Sequence, residues 1–200
     1  MKILFCVCVM VVVCYLPSWA TQEVDCAQVS ALARMARSRS VGSLAAEKAR
    51  AGDSYRAQLV FAFRSLQLVA NGKNAERLLA LIPKDDSQQT IVMTLGDYLC
   101  TEEPNVDTLI LSRVNEGLAR ELAKAVLLAP RYLSAYVTYS MVAVSDPHSD
   151  YAPRMAKVCQ QRHAQFIETV KQLPLKQRQE FTKYVIEPNS CRAIAMPEAD

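Results

Sequence analysis

From residue 26 to residue 187 the chain is divided by capping residues, prolines and glycines into short segments whose apolar residues recur every three or four positions. None of these segments has a convincing strand-like partner, so the pattern points to stacked helices. Residues 26–37 (CAQVSALARMAR) predict a first helix, followed by the loose stretch SRSVGS. Asp53 is suited to cap a helix that begins SYRAQLVFAFRSLQLVA, and Asn71-Gly72 to stop it in a left-handed turn. Its apolar residues, from Leu59 and Val60 through Phe61, Phe63 and Leu66 to Leu68 and Val69, cover most of the circumference. A buried central helix is therefore expected here. QLVFAF taken alone reads equally as a strand; the flanking caps and the length favour helix.

A short helix over AERLLALI stops at Pro83, and Asp86 with Gln89 resembles a capping box for the next one, which runs toward Cys100. After the loop TEEPNV, Asp107 is placed to cap a long helix carrying Leu111, Val114, Leu118, Leu122 and Val126. Pro130 separates that helix from YLSAYVTYSMVAV, and SDPHSD forms a turn. Residues 151–172 read as one long helix, Pro174 opens a last one and Pro188 ends it. The expectation is an all-α fold of about eight helices, a compact bundle or stacked helical hairpins. One junction has a known likeness. AVLLAPRYLSAY, residues 125–136, resembles the boundary between two tetratricopeptide repeats through Ala125, Pro130, Ala135 and Tyr136. The resemblance implies stacked helix pairs at that point. Leu118 stands where the repeat takes a small residue, and no period of about 34 residues runs through the chain.

The first twenty residues have a different character. Met1-Lys2 precedes an unbroken apolar run from Ile3 to Leu16, and Pro17-Ser18-Trp19-Ala20 closes it with small residues. This is the layout of a cleavable secretory signal cut near Ala20. The run falls short of the roughly 20 residues of a membrane span. A mature chain with no membrane span, secreted or periplasmic, is expected. The organisation is then a signal over 1–20, an N-terminal helix and linker over 21–52, a helical core over 53–188 and a tail over 189–200.

Signal removal leaves Cys26, Cys100, Cys159 and Cys191, an even number that reads as two disulfides in an oxidising compartment. In a hairpin bent at Pro174, Cys159 and Cys191 lie roughly 22 and 25 Å from the bend at ~1.5 Å per residue. They should therefore pair, which leaves Cys26 for Cys100.

The formal net charge of +3 is too small to make nucleic acid a main partner. Charge is nevertheless segregated: residues 34–64 and 151–183 are basic, and 74–107 are acidic. Cys159 and His163, one helical turn apart, could join Cys191 and His148 in a zinc site; the competing reading is a disulfide beside a surface histidine. SDPHSDY (145–151) gathers Ser, His and Asp, but triads are assembled from distant segments, and here the residues suit a turn and a helix cap. No phosphate-cradling glycine loop or nucleophile motif is present, and no cofactor is expected. Tyr132, Tyr136 and Tyr139 form a stripe along one helix, a pattern suited either to packing or to a contact face. The reading is an exported, disulfide-stabilised helical module that binds a protein or peptide, of inhibitor or immunity type. The alternative is a small secreted hydrolase or zinc-dependent enzyme.

Overall fold

The structure, a computed structural model, describes residues 26–97, 105–144, 150–186 and 191. Residues 1–25, which include the expected signal, and Cys100, His148 and residues 192–200 lie outside the described residues. The regular elements among the described residues are helical throughout. They are α1 (Cys26–Arg37), α2 (Val41–Ala51), α3 (Tyr55–Leu68), α4 (Gly72–Leu79), α5 (Asp86–Met93), α6 (Val106–Leu128), α7 (Leu133–Val144), α8 (Tyr151–Gln161), α9 (His163–Lys171) and α10 (Leu175–Phe181). A 3-10 turn over Pro130–Tyr132 leads into α7, and a π turn over Thr182–Ile186 follows α10.

Among the described residues there are ten α-helices where about eight were expected, for two reasons. SRSVGS is not merely loose. Ser40 accepts a hydrogen bond from the Ser43 amide at 3.2 Å while Ser43 Oγ accepts from the Ser40 amide, a reciprocal cap that starts α2. Leu44 and Ala51 then bury on α1 and α3. The second addition comes from a break in the expected 151–172 helix at Arg162 (φ −129, ψ 38). There the Arg162 guanidinium donates to the Leu127 carbonyl at 3.1 Å. That carbonyl belongs to the last turn of α6, which has no intrahelical donor to offer it. The break between α8 and α9 thus caps a different helix.

The remaining caps sit close to, but not on, the expected residues. Ser54 rather than Asp53 caps α3, accepting from the Ala57 amide, and Asp53 pairs with Lys48 instead. Asn71 does not stop α3; it starts α4, accepting from the Asn74 amide at 2.9 Å. Asp85, not Asp86, receives the Gln88 amide at 2.8 Å, and Asn105, not Asp107, receives that of Thr108 at 2.9 Å. At α3, α5 and α6 two competent acceptors stand near the start, and the one three residues before a free amide takes the bond. Asp107 is thereby released to accept from Ser30 (2.8 Å) and Arg37 (3.0 Å), tying α1 to α6.

The centre of the fold is α6. It buries Leu111, Val114, Leu118, Leu122 and Val126 and packs against α1, α3, α4, α7 and α8. Its neighbour α3, expected to be the central helix, buries Leu59, Val60, Phe63 and Leu66 but leaves Phe61 and Leu68 half-buried and Val69 exposed.

Cys159 on α8 is joined to Cys191, their Cα atoms 6.2 Å apart and both side chains buried. The route between them is not the simple hairpin expected from the sequence, since the chain turns first at Arg162 and again before Pro174. Cys26 is exposed, and its expected partner Cys100 lies outside the described residues.

One glycine is imposed by packing. A Cβ at Gly96 would lie 2.6 Å from the Ser112 backbone nitrogen, so the turn after α5 presses directly on α6.

Two measurements follow from this core. Cys191→Ser is expected to lower the unfolding free energy by about 3–4 kcal/mol, as loop-closure entropy for a 32-residue separation implies; urea titration reads it. Gly96→Ala is expected to cost about 1–3 kcal/mol, since it overpacks against backbone rather than a flexible side chain. Gly42→Ala, with nothing within 4 Å of the added carbon, serves as the neutral control.

Candidate functional site

Pro83 has no amide hydrogen to continue a helix, so the chain leaves α4 through Leu81-Ile82-Pro83 and re-enters helix at Asp86. This corner stands opposite α7, and a groove of about 770 Å³ lies between them. Leu79, Ile82 and Pro83 form one apolar wall; Tyr132 and Tyr139, with Ala135 and Thr138 between them, form the other. Lys84, Asp85, Asp86 and Gln89 complete the lining from the α5 side. The volume falls within the ~300–1,000 Å³ of ligand pockets.

Each wall is braced by polar contacts behind it. The Tyr55 hydroxyl donates to the Leu81 carbonyl at 2.5 Å and so holds the corner against α3. Gln88 fixes the start of α5 twice: its side-chain oxygen accepts from the Lys84 amide at 3.0 Å, and its own amide binds Asp85. Across the groove, Arg131 lies over the Tyr132 ring, 5.3 Å from its centroid, and bonds Glu76 on α4 at 2.8 Å. Tyr139 meets Tyr151 of α8 edge to face, with centroids 5.7 Å apart and hydroxyls 3.4 Å apart. These contacts hold the groove's shape without an occupant.

Burial governs the phenols around it. It pushes the pKa values of Tyr55, Tyr139 and Tyr151 above the ordinary tyrosine value, and Tyr55 also feels Tyr139 and the Asp85 carboxylate. Tyr136 is shifted the same way by its burial, with Ser140 as its polar neighbour on the same helix. The expected tyrosine stripe is therefore split. Tyr132, half-buried, and Tyr139, largely buried, line the groove, whereas Tyr136 is fully buried in the core and is not a contact residue. The helical period accounts for this, because Tyr136 is rotated roughly 40° from Tyr132 and Tyr139 only about 20° the other way.

The alternative zinc set does not assemble. Cys159 and Cys191 are bonded to each other, His163 stands beyond the break that starts α9, and His148 lies outside the described residues. Among the described residues no group of three or more His, Cys, Asp or Glu side chains could hold a metal ion. Of SDPHSDY, residues 145–149 lie outside the described residues; Asp150 stands at the N-cap of α8 without a capping hydrogen bond, and Tyr151 supports Tyr139. The basic 34–64 and acidic 74–107 tracts meet at the Arg37–Asp107 pair.

Two features were missed in the sequence. One is the α4–α5 wall, because Asp85-Asp86 reads as helix capping and nothing local shows what faces it. The other is Glu121, a carboxylate on the buried side of α6, held by Arg120 (3.2 Å), Gln67 (3.5 Å) and Lys124 (3.8 Å). Its place between Leu118 and Leu122 was the available signal.

The buried phenols set a pH dependence. The folded chain keeps them protonated, whereas the unfolded chain releases those protons as pH rises past about 10. Stability is thus fully present below that pH and declines above it. Tyrosinate absorbance of Tyr55, Tyr136, Tyr139 and Tyr151 should appear together with alkaline unfolding rather than before it. A near-ultraviolet titration followed in parallel by circular dichroism checks this.

Comparisons with protein-family models, with curated proteins and with solved structures find no match to this chain.

Proposed function

We propose that the chain is an exported helical binding module whose groove between the α4–α5 corner and α7 receives a segment of a protein or peptide partner. The observation that carries this reading is the groove itself. It has ligand-pocket volume, two aromatic rings in one wall, and polar braces that fix both walls before anything binds. Aromatic side chains suit such contacts because they bring large area at small entropic cost. Preformed walls reduce the ordering cost of binding.

Export rests on two features that agree. The leader over residues 1–20 has the layout of a cleavable signal, and the buried Cys159–Cys191 bond suits an oxidising space. Within this reading Cys26 and Cys100 form the second bridge, and the helix pairs around Pro130 stack in the manner of the tetratricopeptide boundary they resemble. An inhibitor-like or immunity-like role is the concrete form that such a module takes.

Site-specific photocrosslinking tests the reading. A benzophenone side chain at Ala135, exposed in the groove, is expected to yield discrete protein adducts when the chain is expressed with its leader. The same group at exposed Lys176 should not yield them. Identical adduct patterns at both positions would sink the groove as the binding site.

A further inference from the structure

We infer that the segment this groove receives is a peptide presenting apolar side chains together with a lysine or arginine. The inference rests on the peptide-binding reading above and adds the chemistry of the partner.

The argument is one of charge and surface. The α7 helix, residues 133–144, carries no charged side chain, so the formal charge of the lining lies entirely on the α5 side. That side supplies two carboxylates, Asp85 and Asp86, against one ammonium, Lys84, and all three are exposed. Asp85 is partly committed, since one of its oxygens accepts the Gln88 amide. Asp86 makes no ion pair among the described residues, which leaves a carboxylate available to a ligand.

The rings add to this preference. Aromatic faces attract cations, and the long aliphatic stems of lysine and arginine lie along apolar walls while their heads reach the rim. Tyr132 already shows the pattern on one face of its ring, where Arg131 lies. A partner's cation would lie between the tyrosine wall and the Asp86 carboxylate, both of which line the groove. The volume, that of a drug-sized ligand, also exceeds what a single side chain fills, so neighbouring apolar side chains enter with it.

An acidic segment is disfavoured by the same inventory. It would meet Lys84 but bring its charge against Asp85 and Asp86, and like charges brought together cost affinity.

Fluorescence anisotropy with three labelled probes tests the inference. The probes are end-blocked Leu-Phe-Arg-Leu, Leu-Phe-Gln-Leu and Leu-Phe-Glu-Leu. The arginine probe should bind about tenfold more tightly than the glutamate probe, with the glutamine probe between them. Asp86→Asn should weaken the arginine probe by about threefold and leave the glutamine probe unchanged. Ala135→Trp, which fills the groove from an exposed position, should abolish binding of all three, with folding checked by circular dichroism. If the three probes bind equally and Ala135→Trp removes them, the groove binds peptides but the preference for cations is wrong. Stronger binding of the glutamate probe overturns the preference as well. If none binds, or if Ala135→Trp has no effect, the peptide-binding reading itself fails.

Discussion

The burial of one long stripe on α6 is the constraint from which the rest of the architecture follows. At about 1.5 Å per residue, its 23 residues extend roughly 35 Å, longer than any other helix described. A helix of that length with buried side chains along it needs cover on several sides, and five other helices supply it. Its ends then have to be satisfied inside a crowded structure. Asn105 and Thr108 close the amino end reciprocally, and Arg162 reaches from the α8–α9 break to the carboxyl end. A positive side chain there also complements the helix dipole. One side chain thus connects the middle of the fold to the bend in its last third.

The groove depends on the same framework. Its tyrosine wall follows α6 through the Pro130–Tyr132 turn, and its other wall hangs from α4, which packs on α6 directly. The two walls meet α6 through different elements, yet the Glu76–Arg131 pair links them across the gap. An exposed ion pair of this kind contributes little to overall stability, ~1 kcal/mol or less. Its larger effect is local, fixing the Arg131 guanidinium over Tyr132 and limiting how far the walls can part.

Much of the helical content was legible in the sequence because its signals are local. Apolar spacing located α1, α3, α4, α6 and α7, and Pro83, Pro130 and Pro174 marked real boundaries. Details set by competition between neighbouring residues were not legible. Asp53 against Ser54, or Asp107 against Asn105, cannot be decided without knowing that Lys48 and Arg37 stand ready to engage the loser. The break at Arg162 was hidden for the same reason, since the carbonyl that Arg162 serves lies at residue 127. The candidate site was half legible. Periodicity found the tyrosine helix but assigned all three rings to one surface. It could not show that α4 and α5 close over two of them while Tyr136 turns inward.

The buried sulfur link has a consequence for the chain once cut. Any single backbone cleavage between Cys159 and Cys191 leaves the downstream piece covalently attached to α8. The Phe166 and Phe181 rings, 5.3 Å apart, add an apolar clasp inside that interval. Under denaturing conditions a nicked molecule would therefore run as one species and separate into fragments only after a thiol reductant is added. In a protease-rich surrounding the final third of the fold could survive such damage in place.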